Sequence, residues 1–156
     1  MKQNHHLKNP TLSFTLVGLQ FTFIGILIYL LFIQTAYLPN GVVVTLQILS
    51  GFIAIWAALH LQQKLHFNIV PDPMPNRALV DTGPYQYIRH PMYFSLLLFF
   101  TPEVVYQGSP DSVLTLLLLT AILVYKLHYE EQLLSQQVML YKSYQHKTKK
   151  LIPFIY

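Results

Sequence analysis

The chain has 156 residues, 53% of them hydrophobic and 10% charged, with a net charge of +4 and no cysteine. A water-soluble domain carries about 25% charged residues, so water is excluded as the main solvent. The absence of thiols excludes disulfides, thiolate metal sites and thiol nucleophiles, and the length bounds the chain to one domain, residues 1–156.

No charged residue lies between Lys8 and Lys64. Two apolar blocks fill that interval, at about 12–38 and 41–61, parted by the turn formers Leu38-Pro39-Asn40-Gly41. Each exceeds the ~20 residues that cross a hydrocarbon core. The first is longer than a signal-peptide h-region of ~7–15 residues and lacks an Ala-x-Ala-like site, so it reads as a span. Residues 62–90 carry Pro71, Pro73, Pro75 and Pro84, and their first half reads as irregular. Two shorter apolar runs follow, at about 91–106 and 112–129, joined by Gln107-Gly108-Ser109-Pro110-Asp111. Both lie near the lower limit of ~17 residues, which leaves a tilted or a partly interfacial position open. Residues 130–156 continue from the fourth run, with Leu133, Leu134, Val138, Tyr141 and Tyr144 at near-helical spacing. The expected fold is an all-α integral membrane protein of about four transmembrane helices with a cytoplasmic C-terminal helical segment. Gly18, Gly25 and Gly51 mark places where helices can approach closely, within the chain or between chains.

Four spans return both termini to one side. Lys2 and Lys8 precede the first; Lys64, Arg77 and Arg89 lie between the second and third; Lys126, Lys142, Lys147, Lys149 and Lys150 sit at or after the end of the fourth. The opposite turns hold no Lys or Arg, while Glu103 and Asp111 there are acidic. The positive-inside rule makes the basic side cytoplasmic. Lys142 to Lys150 then lies against the membrane as a lipid-facing patch, so membrane lipids rather than nucleic acid are the expected partner.

Chemistry concentrates in two places. In residues 79–93 a Gly83-Pro84 turn leads to Arg89 and His90 at the mouth of the third span, with Pro91 placed as a first helical residue. A helix from Tyr85 would set Tyr85, Arg89 and Tyr93 on one face. Arg, His and Tyr at such a boundary also serve simply as anchors. The second place is His128-Tyr129-Glu130-Glu131, where adjacent carboxylates at a membrane edge require water or a partner. Arg89 is one partner, as a structural ion pair or as part of a joint site at the same depth. His90, His128 and Glu131 are the set a two-His-one-carboxylate metal needs, but no helical His pair supports it, and no metal is expected. Gly-x-Ser-x-Gly, Gly-x-Gly-x-x-Gly and Walker motifs are absent.

The run Leu79-Val80-x-Thr82-Gly83-Pro84-Tyr85-x-x-x-Arg89-His90-Pro91-Met92-Tyr93 resembles the signature of isoprenylcysteine carboxyl methyltransferases and their bacterial relatives, within the broader group of phospholipid and isoprenylcysteine membrane methyltransferases. The resemblance continues through a helical hairpin, Glu130-Glu131, Tyr141 and Tyr144, and Leu151-Ile152-Pro153-Phe154-Ile155, so it covers residues 79–156. The chain departs from the pattern with Ser95 at a frequent glycine position and with no glycine before the paired tyrosines. The resemblance implies S-adenosylmethionine as methyl donor, held at the cytoplasmic face by Leu79, Gly83, Tyr85, Arg89, His90, Pro91, Tyr93, Glu130, Glu131, Tyr141 and Tyr144. It implies catalytic roles for Arg89, His90, Glu130 and Glu131, a bacterial inner membrane, and a lipophilic acceptor such as a prenylcysteine carboxylate or a lipid amine. Two other readings are a non-catalytic membrane scaffold with a degenerate site and a membrane lipid reductase.

Overall fold

The computed structural model describes residues 10–34, 40–64, 79–138 and 140–156. Lys2, Lys8, Arg77, Pro71, Pro73, Pro75 and the end of the first expected span lie outside the described residues. Among the described residues five α-helices form: α1 (Pro10–Gln34), α2 (Gly41–Lys64), α3 (Pro91–Gln107), α4 (Pro110–Gln137) and α5 (Tyr141–Lys147). A short 3₁₀ turn, Gly83–Gln86, precedes α3. Among the described residues there is no strand, only one parallel bridge between Ile88 and Lys149.

The helix ends follow local chemistry. Asn40 caps α2, its side-chain oxygen accepting from Val42 N at 2.8 Å. Pro91 and Pro110 open α3 and α4, where a missing N–H costs nothing. Gly108 closes α3 in the left-handed region at φ 67°. Inside α1 and α2, Thr15, Thr22 and Thr45 return their hydroxyls to carbonyls one turn back, so no polar hydrogen is left for an apolar surrounding. The expected continuation of the fourth span forms as far as Gln137, where α4 ends; Tyr141 and Tyr144 lie on the separate helix α5.

Three helices, Thr11–Ile33, Gly41–Gln62 and Pro110–Gln136, are long and apolar enough to cross a membrane. The third span of the expected four, α3, has 17 residues and is the short one. The outward faces are apolar, with Phe32 78% exposed and Ile48 and Phe52 similarly open. Such surface belongs in lipid, not water, and the chain is an all-α membrane protein.

The main pairings join α2 to α3, α1 to α4 and α3 to α4, so α1 and α2 flank the α3–α4 hairpin. Leu27, Phe100, Val104, Leu119 and Leu123 form the core between α1, α3 and α4. A second cluster, Ala57, Val80 and Tyr85, binds the 3₁₀ turn to α2. Gly18, Gly25 and Gly51 are not close-contact points among the described residues, since a Cβ at each would meet none of them within 4 Å.

Ser95 explains its departure from the glycine pattern. It is buried, returns its hydroxyl to Met92 O, and offers its carbonyl to Ser50 Oγ of α2 at 2.9 Å. Ser50→Ala therefore removes the one bond that reaches this carbonyl from α2 and should lower stability by about 1 kcal/mol. Unfolding in mixed detergent micelles checks this; no shift would show that packing alone joins the helices.

Candidate functional site

The site is built where three segments meet: residues 87–93, the end of α4, and the stretch after α5. The C-terminal stretch lies beside the first segment as a short parallel pairing. Lys149 N donates to Tyr87 O at 3.0 Å, Arg89 N to Lys149 O at 2.9 Å and His90 N to Lys150 O at 3.1 Å. A helix from Tyr85 through Tyr93 does not form. Prolines at 84 and 91 restrict it, the residue before a proline being driven out of the helical region, and His90 accordingly sits at φ −123°, ψ 59°. The backbone of 87–90 bonds to the C-terminal stretch instead. Tyr85, Arg89 and Tyr93 thus reach their places by chain reversal, not by a shared helical face.

Arg89 is buried and heavily bonded. Its Nε donates to Glu131 Oε1 at 2.5 Å, and the two side chains are 6% and 8% exposed. Its Nη1 donates to Gln145 O at 3.1 Å and to Thr148 O at 2.5 Å. Those carbonyls end α5, where a helix leaves carbonyls without internal partners. Arg89 therefore pins α5 to α4. Its Nη2 makes no hydrogen bond among the described residues.

His90 lies between the two acids. Its Nδ1 is 3.5 Å from Glu130 Oε2 and its Nε2 is 3.5 Å from Glu131 Oε1. The residue is 8% exposed, and Nε2 has no hydrogen bond. Its ring stacks on Tyr93, centroids 5.4 Å apart and planes within 5°. Tyr93 donates its hydroxyl to Glu130 Oε1 at 2.6 Å. Arg89, His90, Tyr93, Glu130 and Glu131 thus form one contiguous group, with Glu131 turned to Arg89 and Glu130 to Tyr93.

The remaining sequence candidates frame this group. Tyr144 donates its hydroxyl to Tyr85 O at 2.5 Å, locking α5 onto the 3₁₀ turn. Tyr141 is buried beside it, ring centroids 5.9 Å apart. Burial pushes both phenols well above their usual range, so both remain hydrogen-bond donors. Pro91 is fully buried at the head of α3, and Leu79 is half-buried ahead of Asp81. Gly83 adopts φ 62°, and the space of its absent side chain holds the His60 ring: a Cβ would lie 2.5 Å from His60 Cδ2. His128 turns away, with Nδ1 at 2.7 Å from Val124 O and Nε2 at 3.3 Å from Lys150 Nζ.

Four residues of the site were not among the sequence candidates: His60, Gln20, Lys126 and Thr148. Lys126, one of the lysines on the basic side, is 2% exposed inside α4 and donates to Gln20 Oε1 of α1 at 2.9 Å. Its signal was a single charge following the uncharged run 112–125. Thr148 carried no signal, because its role rests on a backbone carbonyl.

The phospholipid methyltransferase family model matches residues 40–142, more than half of the chain. The match takes in α2, the 79–93 segment, both membrane hairpin helices and the acidic pair. No curated protein matches the chain significantly. With its buried Arg–Glu and half-buried Tyr–Glu pairs where α3 begins and α4 nears its end, the chain belongs to the phospholipid methyltransferase family, whose members are membrane methyltransferases of lipid-like substrates.

Proposed function

We propose that the chain transfers a methyl group from S-adenosylmethionine to a lipophilic acceptor at the cytoplasmic face of a bacterial inner membrane, with both termini cytoplasmic. The observation that carries this reading is the place of His90 between two carboxylates, Glu130 3.5 Å from Nδ1 and Glu131 3.5 Å from Nε2, with Nε2 buried and outside hydrogen-bond geometry. A buried nitrogen with an ionic neighbour but no hydrogen bond is incompletely satisfied, and a ligand atom beside it would complete it. The exposed Lys142, Lys147 and Lys149 at the same end of the bundle support the orientation.

The residues present suit the donor's groups. Arg89 Nη2 is the guanidinium nitrogen left for a carboxylate oxygen, Nε being spent on Glu131 and Nη1 on Gln145 O and Thr148 O. Glu130 accepts from an amine or from ribose hydroxyls. A tyrosine face suits a sulfonium, an attraction of roughly 0.5–2 kcal/mol; the Tyr93 ring is already stacked on His90 and faced by Lys126, which leaves that part to Tyr85, Tyr141 or Tyr144. Gly83, Tyr85, Tyr141 and Tyr144 hold the turn and α5 in place around that group.

The donor, when bound, supplies a methyl group on a positively charged sulfur. Displacement at that carbon needs no strong acid, so the work of the chain is to hold the acceptor in line and keep water out. A carboxylate acceptor needs no base. An amine acceptor must lose a proton, and His90 Nε2 and Glu130 are the groups in place to take it.

Titrating the full chain in detergent micelles with S-adenosylmethionine tests the reading. Glu130→Gln, which keeps an acceptor for Tyr93, should weaken binding about tenfold by removing one charged partner. Labelled methyl groups should appear in added phospholipid or prenylcysteine. No binding by the unmodified chain would overturn the proposal; NADPH binding in its place would favour a lipid reductase, and donor binding without transfer a scaffold.

A further inference from the structure

We infer that Lys126 is the residue that receives an anionic oxygen of the lipid acceptor, on the α1 side of the methyl-transfer site. The inference rests on the methyltransferase reading for its setting, but its geometry is independent of it. Lys126 follows fourteen residues without charge in α4 and is 2% exposed. An ammonium at such depth is costly unless paired, and it marks a functional position more often than a structural one. The groups in contact with it are both neutral; the charge of Glu130 also acts on it, from beyond 4.0 Å. Nζ donates to Gln20 Oε1 of α1 at 2.9 Å and lies 5.3 Å from the centroid of the Tyr93 ring of α3. Among the described residues no carboxylate lies within 4.0 Å of it.

The acids of the site are engaged elsewhere. Glu131 is held by Arg89 at 2.5 Å. Glu130, one turn beyond Lys126 on α4, takes the Tyr93 hydroxyl at 2.6 Å and faces His90 at 3.5 Å. An ammonium carries three hydrogens, and Gln20 uses one. The other two have no acceptor among the described side chains, so a ligand oxygen bearing negative charge is what completes the group. Tyr93 ties this position to the rest of the site, since the same ring that faces Lys126 stacks on His90 and its hydroxyl bonds Glu130. An acceptor anchored at Lys126 thus lies beside Tyr93, next to the groups proposed for the donor. Lysine acts as a point charge without the planar demand of arginine, so a phosphodiester beside an amine and a free carboxylate both satisfy it.

The test measures lipid retention by the full chain in detergent micelles, using native mass spectrometry. Two pairs of probes separate the sources: phosphatidylethanolamine against diacylglycerol of the same chains, and a prenylcysteine against its methyl ester. The unmodified chain should prefer the member that bears the anionic oxygen in one pair by about tenfold, as expected for a desolvated charge contact, and the pair that responds names the source. Lys126→Gln should abolish the preference and Lys126→Arg should keep it. Gln20→Leu, which leaves the ammonium in place, should also keep it. S-adenosylmethionine affinity should change less than about threefold in Lys126→Gln, because the donor's charged groups are assigned elsewhere.

Four results would overturn the inference: no preference in either pair, a preference that survives Lys126→Gln, loss of preference in Gln20→Leu equal to that in Lys126→Gln, or a large loss of donor affinity in Lys126→Gln. A Lys126-dependent preference in a chain that binds no donor would instead overturn the methyltransferase reading and leave the anion site standing.

Discussion

Glu131→Ala should cost about 3–5 kcal/mol of folding stability, because it leaves Arg89 as a buried charge with only backbone carbonyls for company. Both side chains are more than nine-tenths covered. Arg89→Met should be similarly costly for a second reason: the Gln145 and Thr148 carbonyls lose their donor, and α5 loses its tie to α4. Arg89→Met combined with Glu131→Ala should cost clearly less than the two losses added, since no uncompensated charge remains. The excess should be at least about 2 kcal/mol, within the range measured for residues of one network. Unfolding in mixed micelles across the four variants gives that coupling directly. Additivity within about 0.5 kcal/mol would mean that the two groups are not energetically paired. Limited proteolysis adds a structural readout, as Arg89→Met should speed cleavage in residues 140–156.

This pair also shows how much of the site the sequence carries. The juxtaposition of Arg89 with Glu130-Glu131 was readable, since hydropathy places both at the same membrane depth on the same side. Hydropathy says nothing about which acid meets which partner. That is decided by side-chain direction along α4: adjacent residues point to different neighbours, and Glu131 turns to Arg89 while Glu130 turns to Tyr93. The spans were readable for the same reason, with α2 and α3 starting at Gly41 and Pro91 where turn chemistry and a first-turn proline put them.

What was hidden depends on distant backbone. The pairing of 87–90 with 149–150 involves single bonds between segments some sixty residues apart, with no alternating apolar pattern to announce a strand. It nevertheless breaks the helix that the Tyr85–Arg89–Tyr93 spacing suggests. Lys126 was hidden differently. Position near the end of a span suggests a snorkelling anchor, and only the α1–α4 packing, which brings Gln20 opposite, turns it inward.

Gly83→Ala should be the most damaging single-carbon change in the chain, and the reason lies in α2. Two costs add. The residue sits at φ 62°, a left-handed conformation that costs a side-chain-bearing residue roughly 1–2 kcal/mol. The added carbon would also lie 2.5 Å from His60 Cδ2, and the ring cannot simply swing away, because its Nδ1 is 3.1 Å from Trp56 O. Overpacking of this kind costs about 1–3 kcal/mol. The two terms separate by experiment. In a His60→Ala background the collision disappears and only the backbone term remains, so Gly83→Ala should then cost about 1–2 kcal/mol. An unchanged cost in both backgrounds would show that backbone conformation alone demands the glycine. The expected difference instead makes the signature glycine a contact residue of α2: the turn carrying Tyr85 is held against the membrane helix by the fit of a histidine ring into a missing side chain.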